Sequence, residues 1–211
     1  MFEHAVVTQP GLADPVHQSQ EIFRTVLAAL SEPGRVFQLA AAAPAGVLGP
    51  VGGLGPVGDL GIGPAALAVL LALTDGDTPV WLGGEAEALA NYLRFHTGSP
   101  IVADPGAAQF ALLKGGDRRL DCFNPGTEDF PDHSATLIVE VVALAEGGSI
   151  TLSGPGIPDH RPVTVQGLPA DFAEQWAANH AQFPCGVDVI VTCGASLMGL
   201  PRTVSLTRSG R

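Results

Sequence analysis

The side chains able to do chemistry in this sequence are few, and most are arginines or carboxylates. Arg24, Arg35, Arg118, Arg119, Arg161 and Arg202 are scattered along the chain. A guanidinium fork matches phosphate or phosphonate oxygens two at a time, so anion recognition is the chemistry they suggest. Gly154 and Gly156, on either side of Pro155, could let backbone amides approach an oxyanion. Two of the arginines also have acidic neighbours: Arg35 follows Glu32, and Arg202 lies near Asp188 in sequence. Asp188 is the polar exception in the run VDVIVT at 187–192. A carboxylate in an apolar strand needs donors or a cation, because an unpaired charge there is costly. Asp188 and Arg202 therefore form either a structural pair or a ligand-facing one. Arg24, Arg35, His96, Arg161, Asp188 and Arg202 are the candidate anion-binding, ligand-binding or subunit-contact residues.

Other chemistries find less support. The single lysine, Lys114, ends an apolar strand before Gly115 and Gly116, where a solvated side chain is the ordinary role. His96, His133 and His160 could meet Asp132 or Asp159, but no HExxH or CxxC spacing accompanies them, so no metal is expected. Ser31, Ser134 and Ser153 lack a GxSxG setting, and Cys185 between Pro184 and Gly186 has no base nearby in sequence. No catalytic residue and no cofactor are assigned. A formal GxGxxG at Gly53, Gly55 and Gly58 contains Pro56 and lacks the strand–turn–helix context of a dinucleotide site.

Composition narrows the classes further. Ten basic against 21 acidic residues give a formal charge of −11, which argues against nucleic-acid or anionic-membrane binding. Charged residues are only 15% and hydrophobic residues 46%, a surface chemistry that favours cover by partner chains. Cys122, Cys185 and Cys193 are odd in number and widely spaced, and read as reduced, mostly buried thiols of a cytoplasmic protein. The N-terminus has no signal-peptide pattern, and the apolar tracts fall short of the roughly 20 residues a spanning helix needs.

The elements that must position these side chains alternate between helix and strand, over a length that suits one domain, 1–211. Asp14-Pro15 starts a helix with Ile22, Phe23, Val26, Leu27 and Leu30 on one face, stopped at Pro33-Gly34. A strand at 35–40 follows, then a Gly/Pro-rich low-complexity loop at 44–64 containing LGPVG twice. A helix at 65–73, apolar all round and so buried, precedes a strand at 79–82, a helix at 85–96 and strands at 101–103 and 110–113. The polar stretch 115–133 reads as a functional loop. The strand at 135–144 is expected to pair with 149–153 as a hairpin across Glu146-Gly147-Gly148. A strand at 163–165, a helix at 169–181 and a final strand pair at 187–193 and 203–206 complete the chain.

SEPGR at 31–35, RFHTG at 94–98, FNPGTEDFP at 123–131, LSGPGI at 152–157, FPCGVD at 183–188 and LPRT at 200–203 stand in one order over almost the whole chain. In this they resemble PhnH, the H-subunit family of the bacterial carbon–phosphorus lyase system for phosphonate use. The loop at 44–64 departs from that pattern. The resemblance implies a three-layer α/β/α sandwich with a mixed sheet, similar to the large domain of pyridoxal-phosphate-dependent transferases but without the cofactor. It also implies a homodimer within a core complex with G, I and J subunits. That complex transfers the ribose triphosphate part of ATP onto a phosphonate, and the resemblance brings no catalytic residue to this subunit. The reading is therefore an accessory subunit, with a stand-alone protein acting on a phosphorylated ligand through an arginine pocket as the alternative.

Overall fold

The computed structural model describes residues 11–39, 60–84, 87–115 and 118–208. The glycine fingerprint at 53–58 and both LGPVG units lie outside them. Helix α1 (Pro15–Ser31) begins where the Asp14 side chain accepts a hydrogen bond from the His17 amide, with Pro15 in the first turn. Its inward line is Ile22, Val26 and Ala29. Phe23 and Leu27, expected on that face, are 48% and 49% exposed. The reason is a close approach: α1 lies on Gly199, where a Cβ would collide with the Ala29 carbonyl oxygen. Contact centred on the Ala29 line turns Phe23 and Leu27 outward.

Seven strands form one mixed sheet in the order β1-β9-β8-β5-β4-β2-β3. They are β1 (Phe37–Gln38), β2 (Val80–Leu82), β3 (Ile101–Val102), β4 (Phe110–Lys114), β5 (Thr136–Glu140), β8 (Asp188–Cys193) and β9 (Ser196–Leu200). β3, β2, β4, β5 and β8 run parallel, while β9 is antiparallel to β8 and β1. Leu137, Ile138 and Val139 of β5 and Val189, Ile190 and Val191 of β8 are all buried, as expected of strands covered on both sides.

One face of the sheet carries α1, α2 (Pro64–Leu73) and α3 (Glu87–His96), whose residues pack with Leu112, Ile138, Ile190 and Leu197. Helix α2 is buried continuously from Pro64 to Leu70, which explains its lack of a polar face. The other face is covered by a small antiparallel sheet, β10-β6-β7, and by α4 (Phe172–His180). Its strands are β6 (Ala143–Ser153), β7 (Arg161–Gln166) and β10 (Ser205–Arg208). Ile150, Leu152, Val163, Phe172 and Trp176 close against Leu113, Leu137, Val139, Val189 and Val191. The chain is thus an α/β protein in three layers, one outer layer being part sheet and part helix. Trp176 ties α4 to the route into β10 by donating its Nε1–H to the Val204 carbonyl at 2.8 Å.

Three expectations need correction. The run 135–144 is not one strand but two, β5 in the large sheet and the start of β6 in the small one, parted at Val141 and Val142. Sequence hides the change of sheet because apolar residues resume directly after Glu140, with Val141, Val142 and Leu144 reading as a continuation of the same strand. The expected hairpin across Glu146-Gly147-Gly148 is instead a single strand, β6, whose register against β7 shifts between Glu146 and Ile150. Finally, β8 pairs with β9 through a hairpin at Gly194-Ala195, while the strand after Arg202 joins the small sheet as the partner of β6. The cysteines also differ from expectation. All three are free, but Cys122 is exposed and Cys185 and Cys193 are only partly covered.

Candidate functional site

The most heavily bonded charged group is Arg202, which follows β9 and faces the first residue of β8. Its Nε donates to both oxygens of Asp188 at 3.2 Å, and Nη2 donates to Asp188 Oδ2 at 2.6 Å and to Ser134 Oγ at 2.5 Å. Nη1 donates to the carbonyls of Pro131 at 2.9 Å and Pro184 at 3.3 Å. The Arg202 amide also donates to Asp188 Oδ1, at 2.8 Å. A guanidinium has five N–H groups, and these contacts occupy every donor direction of this one. The pair is largely covered, with side chains 13% and 23% exposed. The structure shows Asp188 and Arg202 paired with each other, the contact from which both sequence readings start. An anion could reach Arg202 only by displacing one of these partners.

The other arginines sit in different surroundings. Arg161, at the start of β7, donates from Nη1 to the carbonyls of Glu32 and Pro33 at 3.1 and 2.8 Å, gripping the turn after α1. Gly34 makes that approach possible: its φ is +80°, and a Cβ there would meet Arg161 Cδ at 2.9 Å. Arg35 pairs with Glu32 at 2.7 Å and lies over the Phe37 ring, 5.1 Å from its centre. Phe37 in turn lines a shallow cleft with His17, Gln20, Glu21 and Arg24. Arg24, Arg35 and Arg161 thus share one region around 31–37, with Phe23 and Leu27 exposed on the same helix as Arg24. His96 is elsewhere, at the end of α3 beside Tyr92 and Phe95. The six candidates do not converge on one pocket.

Arg118 and Arg119 form a third place. Arg118 lies over Trp81, and Arg119 pairs with Asp171 at 2.7 Å and Asp121 at 3.3 Å. The cleft beside Arg119 is lined by Gln175 and Asn179, both buried. Their amides are engaged, Gln175 accepting from the Leu120 amide and Asn179 bonding both polar backbone atoms of Val187. Among the described residues no three His, Cys, Asp or Glu side chains stand close enough to hold a metal ion.

Five of the six family-like segments, far apart in sequence, meet in space in two groups. Those at 123–131, 183–188 and 200–203 supply Pro131, Pro184 with Asp188, and Arg202 to one hub. Gly186 also donates its amide to the Pro125 carbonyl at 2.8 Å, tying two of the three loops directly. The segments at 31–35 and 152–157 touch where Gly156 passes the Ser31 carbonyl so closely that a Cβ would collide with it. A scan against family models matches residues 10–207 to the bacterial phosphonate metabolism protein family, PhnH. The chain belongs to the PhnH family.

Named relatives agree. The chain is 37% identical over 213 residues to the PhnH subunit of alpha-D-ribose 1-methylphosphonate 5-triphosphate synthase from Rhizobium meliloti, covering 99% of this chain and all of that protein. It is 30% identical over 200 residues to HtxG of Stutzerimonas stutzeri, a putative C-P lyase subunit, covering 92% of this chain and 88% of the relative. No helix among the described residues is long and apolar enough to cross a membrane.

One partly buried group of this PhnH-family chain was not singled out from sequence. Glu140 ends β5, in register with Lys114 on β4 and Thr192 on β8, and accepts the Gly63 amide at 2.5 Å just before α2. Burial pushes its carboxyl above the ordinary value, opposed by the Gly63 N–H and the Lys114 charge. The signal was legible as the one acid inside ATLIVEVVAL. Lys114, set aside as a catalyst from sequence, is exposed at the end of its strand and faces this carboxylate across the sheet.

Proposed function

We propose that this chain is an accessory, structural subunit of a carbon–phosphorus lyase core complex in phosphonate catabolism. In that complex it supports transfer of the ribose triphosphate moiety of ATP to a phosphonate. The observation that carries this reading is the full-length likeness to the synthase subunit of Rhizobium meliloti. Two features support it: Arg202 and Asp188 are engaged with each other and with the backbone, and apolar side chains lie exposed on α1. The chain works in the cytoplasm as a homodimer bound to G, I and J subunits. Its exposed α1 face, with Val16, Phe23 and Leu27 beside Arg24, is suited to cover by another chain.

The test is reconstitution with ATP and methylphosphonate, following release of adenine. The pure chain is expected to show no turnover, and the mixture with G, I and J subunits is expected to show turnover that drops when this chain is left out. Turnover by the chain alone would overturn the accessory role. Unchanged turnover without it would overturn the membership of the complex.

A further inference from the structure

Two Phe-Pro dipeptides, Phe130-Pro131 and Phe183-Pro184, come from loops more than fifty residues apart, and a single guanidinium holds both. Arg202 Nη1 takes the carbonyl of Pro131 and that of Pro184. The prolines are thus anchored, while the phenylalanine before each is left outside: Phe130 is 56% and Phe183 63% exposed. Neither ring stands on loose chain. The Phe130 carbonyl accepts from the amides of Thr127 and His133, and its ring stacks on the His133 ring at 5.1 Å. The Phe183 amide donates to the His180 carbonyl at the end of α4, and the Gly186 amide joins this loop to Pro125. A groove between the loops is lined by Asp132, Phe183, Pro184 and Pro201, with the Asp188–Arg202 pair at its floor.

Exposed aromatic side chains on a rigid backbone are what a docking surface requires, because little conformational freedom remains to be lost on association. The surroundings say what docks. Glu128 and Asp129 beside Phe130, and Asp132 in the groove with Phe183, are all exposed, and the groove's arginine is already neutralised by Asp188. A second copy of this chain would bring the same acids against them, and like charges brought together at an interface oppose association. We propose that the Phe130 and Phe183 surface docks a different protein chain, one presenting an apolar cleft rimmed by lysine or arginine. This rests on the subunit reading above and adds to it the surface used and the chemistry of the partner.

The experiment immobilises the assembled G, I and J subunits and titrates this chain over them, with self-association followed separately by size-exclusion with light scattering. Wild type is expected to bind, more weakly as salt rises, since an acidic rim meeting a basic one is screened. Phe130→Ala/Phe183→Ala is expected to bind about thirtyfold more weakly, the loss of a hot spot, at unchanged melting temperature. Asp129→Lys/Asp132→Lys, which leaves both rings in place, is expected to weaken binding and remove its salt dependence. Should the double alanine variant be poorly folded, Phe130→Leu/Phe183→Leu preserves apolar bulk and is expected to retain most of the binding that charge reversal removes. Wild-type binding with equal affinity in the alanine and charge variants would overturn the surface while leaving the subunit reading intact. Loss of self-association instead of heteromeric binding would assign the surface to a second copy and overturn the proposed partner. No binding by wild type overturns both.

Discussion

Two arginine regions of the same molecule show how unlike the roles of one residue type can be. Arg202 is covered, satisfied on every donor, and joins three loops; Arg35 is 53% exposed and holds a single carboxylate one turn away. Removing water from the first makes its bonds strong and any vacancy costly, while solvent around the second screens its pair to little net value. Arginine count alone therefore says nothing of ligand binding. What matters is whether the fork still has donors facing outward.

The contrast is open to direct attack, beginning with the largest effect. Arg202→Ala leaves Asp188 with the backbone amide but no cation, and Ser134 and two carbonyls without their donor; it is expected to cost about 3–5 kcal/mol, lowering Tm by roughly 10 °C in a calorimetric scan. Arg202→Lys is expected to recover little, since an ammonium cannot span the fork. Arg161→Ala, which frees only the carbonyls of Glu32 and Pro33, is expected to cost about 1–2 kcal/mol by urea titration. An equal loss in the two variants would erase the distinction between them.

Glu140 sharpens the comparison as a partly buried carboxylate with an amide and a lysine in place of an arginine. Its folded pKa lies above the unfolded one, so it binds protons more tightly when folded. The stability it contributes is fully present below the ordinary glutamate range and is lost as pH rises through the raised value. Glu140→Gln is expected to flatten that part of the stability–pH curve; an identical slope in wild type and variant would remove burial as the governing cause. The smallest effect belongs to Arg35→Ala, for which no resolvable change in Tm is expected.

Much of the layering was legible in the sequence. Helix α2 lacks a polar face because it is buried from Pro64 to Leu70, and the run at 187–192 reads as a covered strand because Val189 to Thr192 of β8 are buried. What escaped reading was partnership. β9, SLMGL, contains a glycine at the point where α1 needs room, and glycine reads as a break in a strand rather than as a packing site. The split of 135–144 between two sheets leaves little mark in hydrophobicity, since apolar Val142 and Leu144 carry the run past the break although Val142 is 78% exposed. Asp188 and Arg202, fourteen positions apart, could be paired on paper, but the Pro131, Ser134 and Pro184 contacts that saturate the fork could not.

Local chemistry by itself determined where helices α1 to α4 lie, that α2 is largely covered, and that the chain is acidic and poor in charge. Those properties depend on neighbours within a few residues and on composition. Tertiary structure alone decided which arginine is committed and which is offered, and which phenylalanines face outward. Donor saturation and exposure are set by groups brought together over separations from 14 to 71 residues, and no local pattern encodes the distance between them.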